Sequence, residues 1–139
     1  MPDKRLYKKT ILVIEDNPPC LALLKAFFKG TGADILIANT GKEAWRLFTE
    51  NVIDLVLADL KLPDQDGTDL VKKFKKKHPH IPVIVQTACT FDLSKEKCAK
   101  AGCDLYVTKP YTQKHFMDSV FKTLEKSSSS YSKIRTGDT

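Results

Sequence analysis

No stretch of this 139-residue chain approaches the roughly 20 consecutive apolar residues that cross a bilayer. The charged start, Met1 to Lys9, lacks the apolar segment of a secretory signal. Both absences point to the cytoplasm and to a protein, or a piece of a larger one, with no membrane contact. The four cysteines, Cys20, Cys89, Cys98 and Cys103, form no Cys-x-x-Cys pair, and no histidine stands at zinc-site spacing. They read as small, buried or half-buried side chains in a reducing compartment. His78 and His80 flank Pro79, and His115 lies near a helix start. None has a catalytic partner in the sequence, so all three are expected to be solvated.

What is present is an ordinary globular composition, 42% hydrophobic and 29% charged. The net charge of +6 is concentrated in two places. One is Lys4, Arg5, Lys8 and Lys9. The other is Lys72, Lys73, Lys75, Lys76 and Lys77 around Phe74. On a helix these last lysines cover the solvent side while Leu70, Val71 and Phe74 face inward. No nucleic-acid reader or aromatic platform accompanies them, so nucleic acid is not an expected partner.

Five apolar runs punctuate the chain: Ile11–Ile14, Ile35–Ala38, Leu55–Ala58, Val83–Val85 and Leu105–Val107. Each is continuously apolar, the pattern of a parallel strand covered on both faces. Helical periodicity fills the gaps. Asn17 before Pro18 reads as an N-cap opening a helix through Leu21, Leu24 and Phe28, stopped by Gly30-Thr31-Gly32. A second helix carries Ala44, Leu47 and Phe48, a third follows Gly67, and a fourth runs from about Leu93 to Ala101 with Gly102 as C-cap. The last sets Phe116, Val120 and Leu124 on one face. The expected fold is α/β, a (βα)5 doubly wound parallel five-stranded sheet of order 2-1-3-4-5, flavodoxin-like. One domain is expected over residues 8–126, followed by a disordered Ser-rich tail or linker over 127–139.

The strand ends carry the chemistry. Glu15 and Asp16 follow the first strand, Asp59 ends the third, Thr87 follows the fourth, and Lys109-Pro110 follows the fifth. In the 2-1-3-4-5 order the crevice opens between strands one and three, which gathers the three carboxylates. Two carboxylates about 5 Å apart repel by roughly 3 kcal/mol at an effective dielectric near 20. Such a site raises a pKa or recruits a cation. Hard oxygen donors suit Mg²⁺ or Mn²⁺. A hydroxyl and an ammonium alongside complete a site for phosphoryl transfer, with Asp59 as the nucleophile.

These residues resemble the receiver domain of two-component response regulators, over about Lys9 to Glu125. Ile11-Leu12-Val13-Ile14-Glu15-Asp16 looks like its acidic first-strand motif. Asp59 to Gly67, with Pro63 and Asp66-Gly67 in register, looks like its phospho-acceptor motif. Val85-Gln86-Thr87-Ala88 and Ala101-Gly102-Cys103-Asp104-Leu105-Tyr106-Val107-Thr108-Lys109-Pro110 match the other two. Single motifs of this kind are weak, but four in order across the whole domain are specific.

The resemblance implies a phosphorylation-dependent switch rather than a turnover enzyme, one that promotes only its own phosphotransfer and dephosphorylation. Asp59 would accept phosphoryl from a histidine kinase or a histidine phosphotransfer domain. Asp16, Asp59 and the backbone carbonyl of Lys61 would hold Mg²⁺ (or Mn²⁺), with Glu15 assisting through water. Thr87 and Lys109 would bind the phosphoryl oxygens, and the Lys109-Pro110 bond would be cis. Thr87 and Tyr106 would form the switch, and Lys61 and Cys89 would tune phosphoryl lifetime. The fourth helix, fifth strand and fifth helix would present the face for a homodimer or effector, and the first helix near Cys20 to Lys25 would dock the kinase. The start, the Ser-rich tail and the Gln86-Thr87-Ala88 context look similar to receivers at the end of hybrid sensor kinases.

Other readings have sequence signatures to meet. A flavin-binding electron carrier needs a Ser/Thr/Gly-rich phosphate loop where Glu15-Asp16-Asn17-Pro18-Pro19 stands. A dehalogenase-type phosphatase needs Asp-x-Asp, but Asp16 is followed by Asn17-Pro18. A degenerate receiver, used only for docking, would lack an acceptor, metal or lysine residue, and here all are present.

Overall fold

β-branched and leucine-rich runs flanked by helix caps give five strands, each followed by a helix. In the computed structural model, which describes residues 6–87, 92–109 and 111–136, these are β1 (Thr10–Ile14), α1 (Pro18–Phe28), β2 (Asp34–Ala38), α2 (Gly41–Glu50) and β3 (Leu55–Asp59). There follow α3 (Gly67–Lys77), β4 (Val83–Thr87), α4 (Asp92–Ala101), β5 (Leu105–Thr108) and α5 (Gln113–Thr136). The sheet is parallel with order β2-β1-β3-β4-β5, as expected. The order reverses between β1 and β3, so the crevice opens at the carboxyl ends of those two strands.

Strand alternation divides the core into two layers. Leu12, Ile14, Val56, Ala58, Val83 and Val85 pack against α2, α3 and α4, around Phe48 and Phe74 with ring centroids 4.3 Å apart. Ile11, Val13, Leu55, Leu57, Ile84 and Val107 pack against α1 and α5, around Phe27, Phe28 and Phe116. This second layer runs directly into the crevice, because Glu15, Asp59 and Lys109 each stand two residues beyond one of its members.

The helix starts are capped locally. Asn17 Oδ1 accepts from Cys20 N at 3.0 Å, Thr40 Oγ1 from Glu43 N at 3.1 Å, and Asp66 Oδ1 from Thr68 N at 2.8 Å. At the end of α4, Gly102 at φ +96° lets its own N–H and that of Cys103 both donate to Cys98 O.

Three expectations change. The packed domain begins before residue 8: Leu6 is fully buried in the α1–α5 layer, and Lys8 N donates to Gly32 O. A single leucine among charges gives no periodic signal. His78 is half-buried with its ring 5.6 Å from that of Phe48, rather than solvated, while His80 and His115 are exposed. The backbone of α5 continues past Lys126 to Thr136, where a disordered tail was expected. Extending a formed helix costs far less than nucleating one, and serine is only moderately unfavourable in it. Cys98 is buried and Cys20 and Cys103 are half-buried, in line with the sequence reading; Cys89 lies outside the described residues.

Candidate functional site

The C-terminal ends of β1, β3 and β5 bring three charged side chains into contact. Lys109 Nζ donates to Glu15 Oε2 at 2.9 Å and to Asp59 Oδ2 at 3.3 Å. It also lies 3.4 Å from Cys20 Sγ on the first turn of α1. All three charged side chains are withdrawn from water, with exposures of 1% for Glu15, 11% for Asp59 and 16% for Lys109. Glu15 Oε1 accepts from Asn17 N at 3.1 Å, and Asp59 Oδ1 from Lys61 N at 3.0 Å. Each carboxylate therefore has one oxygen held by backbone and one by the shared ammonium.

One ammonium cannot neutralise two carboxylates in so dry a place. Burial first, then the repulsion of Asp59, hold the Glu15 carboxyl above its ordinary 4.5, against the opposing pull of Lys109. Burial works to lower Lys109, but the Glu15 hydrogen bond and both carboxylate charges outweigh it, so the ammonium is held well above its ordinary 10.5.

The loop after β3 is built to a fixed shape. Gly67 N donates to Leu60 O at 3.0 Å, and Lys61 bridges Asp66. A Cβ on Gly67 would stand 2.7 Å from Leu60 Cα and 2.8 Å from Asp59 O, both backbone atoms. The glycine lets α3 start against the backbone at the end of β3. Gly67→Ala is expected to displace the loop and cost about 1–3 kcal/mol, read as a lower midpoint in urea unfolding. Asp64 ties the same loop to α2, accepting from Gly41 N and Lys42 N at 2.8 and 3.0 Å. The bond from Gly41 is the main cause that holds its carboxyl below the ordinary value.

The other predicted residues fall as follows. Thr87 ends β4, fully buried, and its carbonyl accepts from Lys109 N at 2.8 Å. Tyr106 is half-buried on β5, in register with Val85, and Thr108 is in register with Thr87. Thr87 and Tyr106 thus share one face of the sheet. Pro110, and with it the geometry of the Lys109-Pro110 bond, lies outside the described residues, as does Cys89. Asp16, which follows Glu15 after β1, is exposed, and among the described residues no three His, Cys, Asp or Glu side chains form a metal-holding group. Of the expected trio of carboxylates, Glu15 and Asp59 meet on Lys109, while Asp16 is exposed. The donor set still fits Mg²⁺. That ion keeps several waters and needs only one or two protein carboxylates, so two carboxylates of this crevice would suffice. The excess negative charge of the pair favours a divalent cation.

Sequence reading missed two residues here. Tyr111 donates from its hydroxyl to Gln86 Oε1, and its ring stacks on Phe116 at 4.8 Å. Gln86 was visible as a polar residue inside an apolar run, which is the signal that could have found it.

The model of the response regulator receiver domain matches residues 11–121. The chain belongs to that family. This receiver is 34% identical over 116 residues to the transcriptional regulatory protein ZraR of Escherichia coli K12, covering 84% of the chain and 25% of ZraR. The chain thus spans about a quarter of that relative's length. It is 30% identical over 114 residues to the polar-differentiation response regulator DivK of Brucella ovis, covering 81% of the chain and 93% of DivK. Among solved structures, a CheY-like response regulator receiver domain protein from Methanospirillum hungatei JF-1 superposes with a TM-score of 0.84 at 27% identity, covering 88% of this chain and 98% of that one. The receiver is a signalling switch module of two-component systems. Among the described residues no helix is long and apolar enough to cross a membrane.

Proposed function

We propose that this receiver accepts a phosphoryl group on Asp59 from the phosphohistidine of a histidine kinase or a histidine phosphotransfer domain. The observation that carries the reading is the Lys109 ammonium shared by Asp59 and Glu15 in the crevice at the β1–β3 switch point. A carboxylate oxygen of Asp59 bonds to phosphorus as the donor's N–P bond breaks, and the electron pair of that bond stays on the imidazole nitrogen. Lys109 then turns to the new phosphoryl oxygens, and Thr87 donates its hydroxyl to another. Asp16, Asp59 and the Lys61 carbonyl would hold Mg²⁺ (or Mn²⁺), with Glu15 behind a water. When bound, the ion offsets negative charge on the transferring group.

The added charge, about −1.5 to −2, draws Thr87 toward the phosphoryl group. Tyr106, on the same sheet face, takes up the space, so that a change of charge becomes a change of surface. That surface is α4, β5 and α5, and it would meet an effector or a second copy of the chain. Lys61 would tune the lifetime of the phosphoryl group, which the domain itself would remove; Cys89, expected to share that role, lies outside the described residues. The surroundings would be the cytoplasm.

The test is beryllofluoride, a phosphoryl mimic, added with Mg²⁺ and followed by amide chemical shifts in β4, α4 and β5. Wild type should shift and Asp59→Asn should not. Identical behaviour of the two proteins would sink the proposal.

A further inference from the structure

Gln86 is fully buried, yet its amide nitrogen has no hydrogen-bond partner. Its Oε1 accepts from the Tyr111 hydroxyl. One end of the amide is thus held by Tyr111 and the other is left unpaired. A buried polar group left in this state is destabilising, and leucine at the same place would not be.

The position is informative. Gln86 is in register with Asp59 on one side and with Val107 on the other. It shares the sheet face of Leu57, Ile84 and Val107, which looks toward α1 and α5. Glu15 and Lys109 stand on that same face, each two residues beyond a member of the layer. Gln86 is therefore the cross-strand neighbour of the acceptor aspartate, in the row that carries the ion pair. Tyr111 anchors it from the β5–α5 loop, two residues after Lys109, with its ring stacked on Phe116 and 6.2 Å from Phe27.

In the resting site no acceptor reaches the Gln86 amide nitrogen. Both Glu15 oxygens and both Asp59 oxygens already receive donors, two of them from Lys109. Phosphorylation changes that balance, because it adds strong acceptor oxygens beside Gln86 and gives Lys109 a new partner.

We propose that Gln86, held by Tyr111, is a positioning residue whose amide N–H gains its acceptor only when Asp59 is phosphorylated. The pair then favours the phosphorylated state by relieving a penalty that is present only in the resting fold, while Tyr111 keeps the amide in place in both states. The inference rests on the reading of Asp59 as the acceptor.

The experiment measures beryllofluoride affinity with Mg²⁺ by calorimetry, and the melting temperature of each protein without ligand. Wild type, Asp59→Asn, Gln86→Leu and Tyr111→Phe are compared. Gln86→Leu should melt no lower than wild type yet bind beryllofluoride about tenfold more weakly, as expected for one hydrogen bond made only in the bound state. Tyr111→Phe keeps the ring but frees the amide. It should melt lower and bind a few-fold more weakly. A merely structural pair would alter melting and leave affinity at the wild-type value, and that result overturns the inference. If Gln86→Leu does not fold, Tyr111→Phe decides by the same affinity criterion. Binding by wild type but not by Asp59→Asn keeps the acceptor reading whatever Gln86 does. No binding by wild type overturns both.

Discussion

Lys109→Met is expected to lower stability by about 3–5 kcal/mol at neutral pH, because it strands a fully buried carboxylate beside a second one. The same change should abolish the response to beryllofluoride. The pH dependence separates this cause from lost packing. Glu15 titrates above its ordinary 4.5 in the fold. Between the unfolded and folded values the native chain holds the proton and the unfolded chain does not. Its contribution is therefore greatest below about pH 4.5 and is lost as pH rises through the raised value. Removing Lys109 raises that value further. The gap between wild type and Lys109→Met should thus be widest near pH 7 and close as the pH falls toward protonation of Glu15. For Lys109 the sign falls at the alkaline end: its raised value gives stability that is complete below about 10.5 and lost as pH climbs beyond. Urea unfolding of both proteins across pH 4 to 8 reads these slopes, and a gap that stays constant would contradict the ion-pair account.

Mg²⁺ should raise the melting temperature of wild type, because it binds the folded crevice and not the dispersed carboxylates of the unfolded chain. At ten times its Kd the gain is about 1.4 kcal/mol, a shift of a few degrees for a domain this size. Asp59→Asn should act in two directions. Without metal it melts higher than wild type, since one of two carboxylates competing for Lys109 is neutral. With metal it should gain little if, as proposed, Asp59 is one of the ligands. Scanning calorimetry with and without millimolar Mg²⁺ measures both. Equal shifts in the two proteins would place the ion elsewhere.

The fold was legible because each strand is a short apolar run and the first three helices carry their own N-caps. Asn17 caps α1 and Gly102 ends α4 as the sequence implies, and the structure adds Thr40 and Asp66 as the caps of α2 and α3. The site was legible as a row of strand ends, since parallel order alone brings Glu15, Asp59, Thr87 and Lys109 to one edge. What escaped depends on contacts between distant segments. Leu6 is buried by α1 and α5, which no local pattern announces. Asp64, 23 residues from Gly41, accepts from two further N–H groups of the first turn of α2, which Thr40 caps. Tyr111 is polar only through Gln86. Asp16 and Glu15 are adjacent in sequence and alike in charge, yet one is exposed and the other buried, because successive residues leaving a strand point to opposite sides.

The most direct measurement is to phosphorylate the protein with acetyl phosphate and Mg²⁺, trap the acyl phosphate by borohydride reduction, and map the modified peptide by mass spectrometry. The label should fall on Asp59 alone, vanish when the metal is chelated, and be absent from Asp59→Asn. A label on Glu15, Asp16 or a histidine, or an undiminished label in Asp59→Asn, would contradict the account.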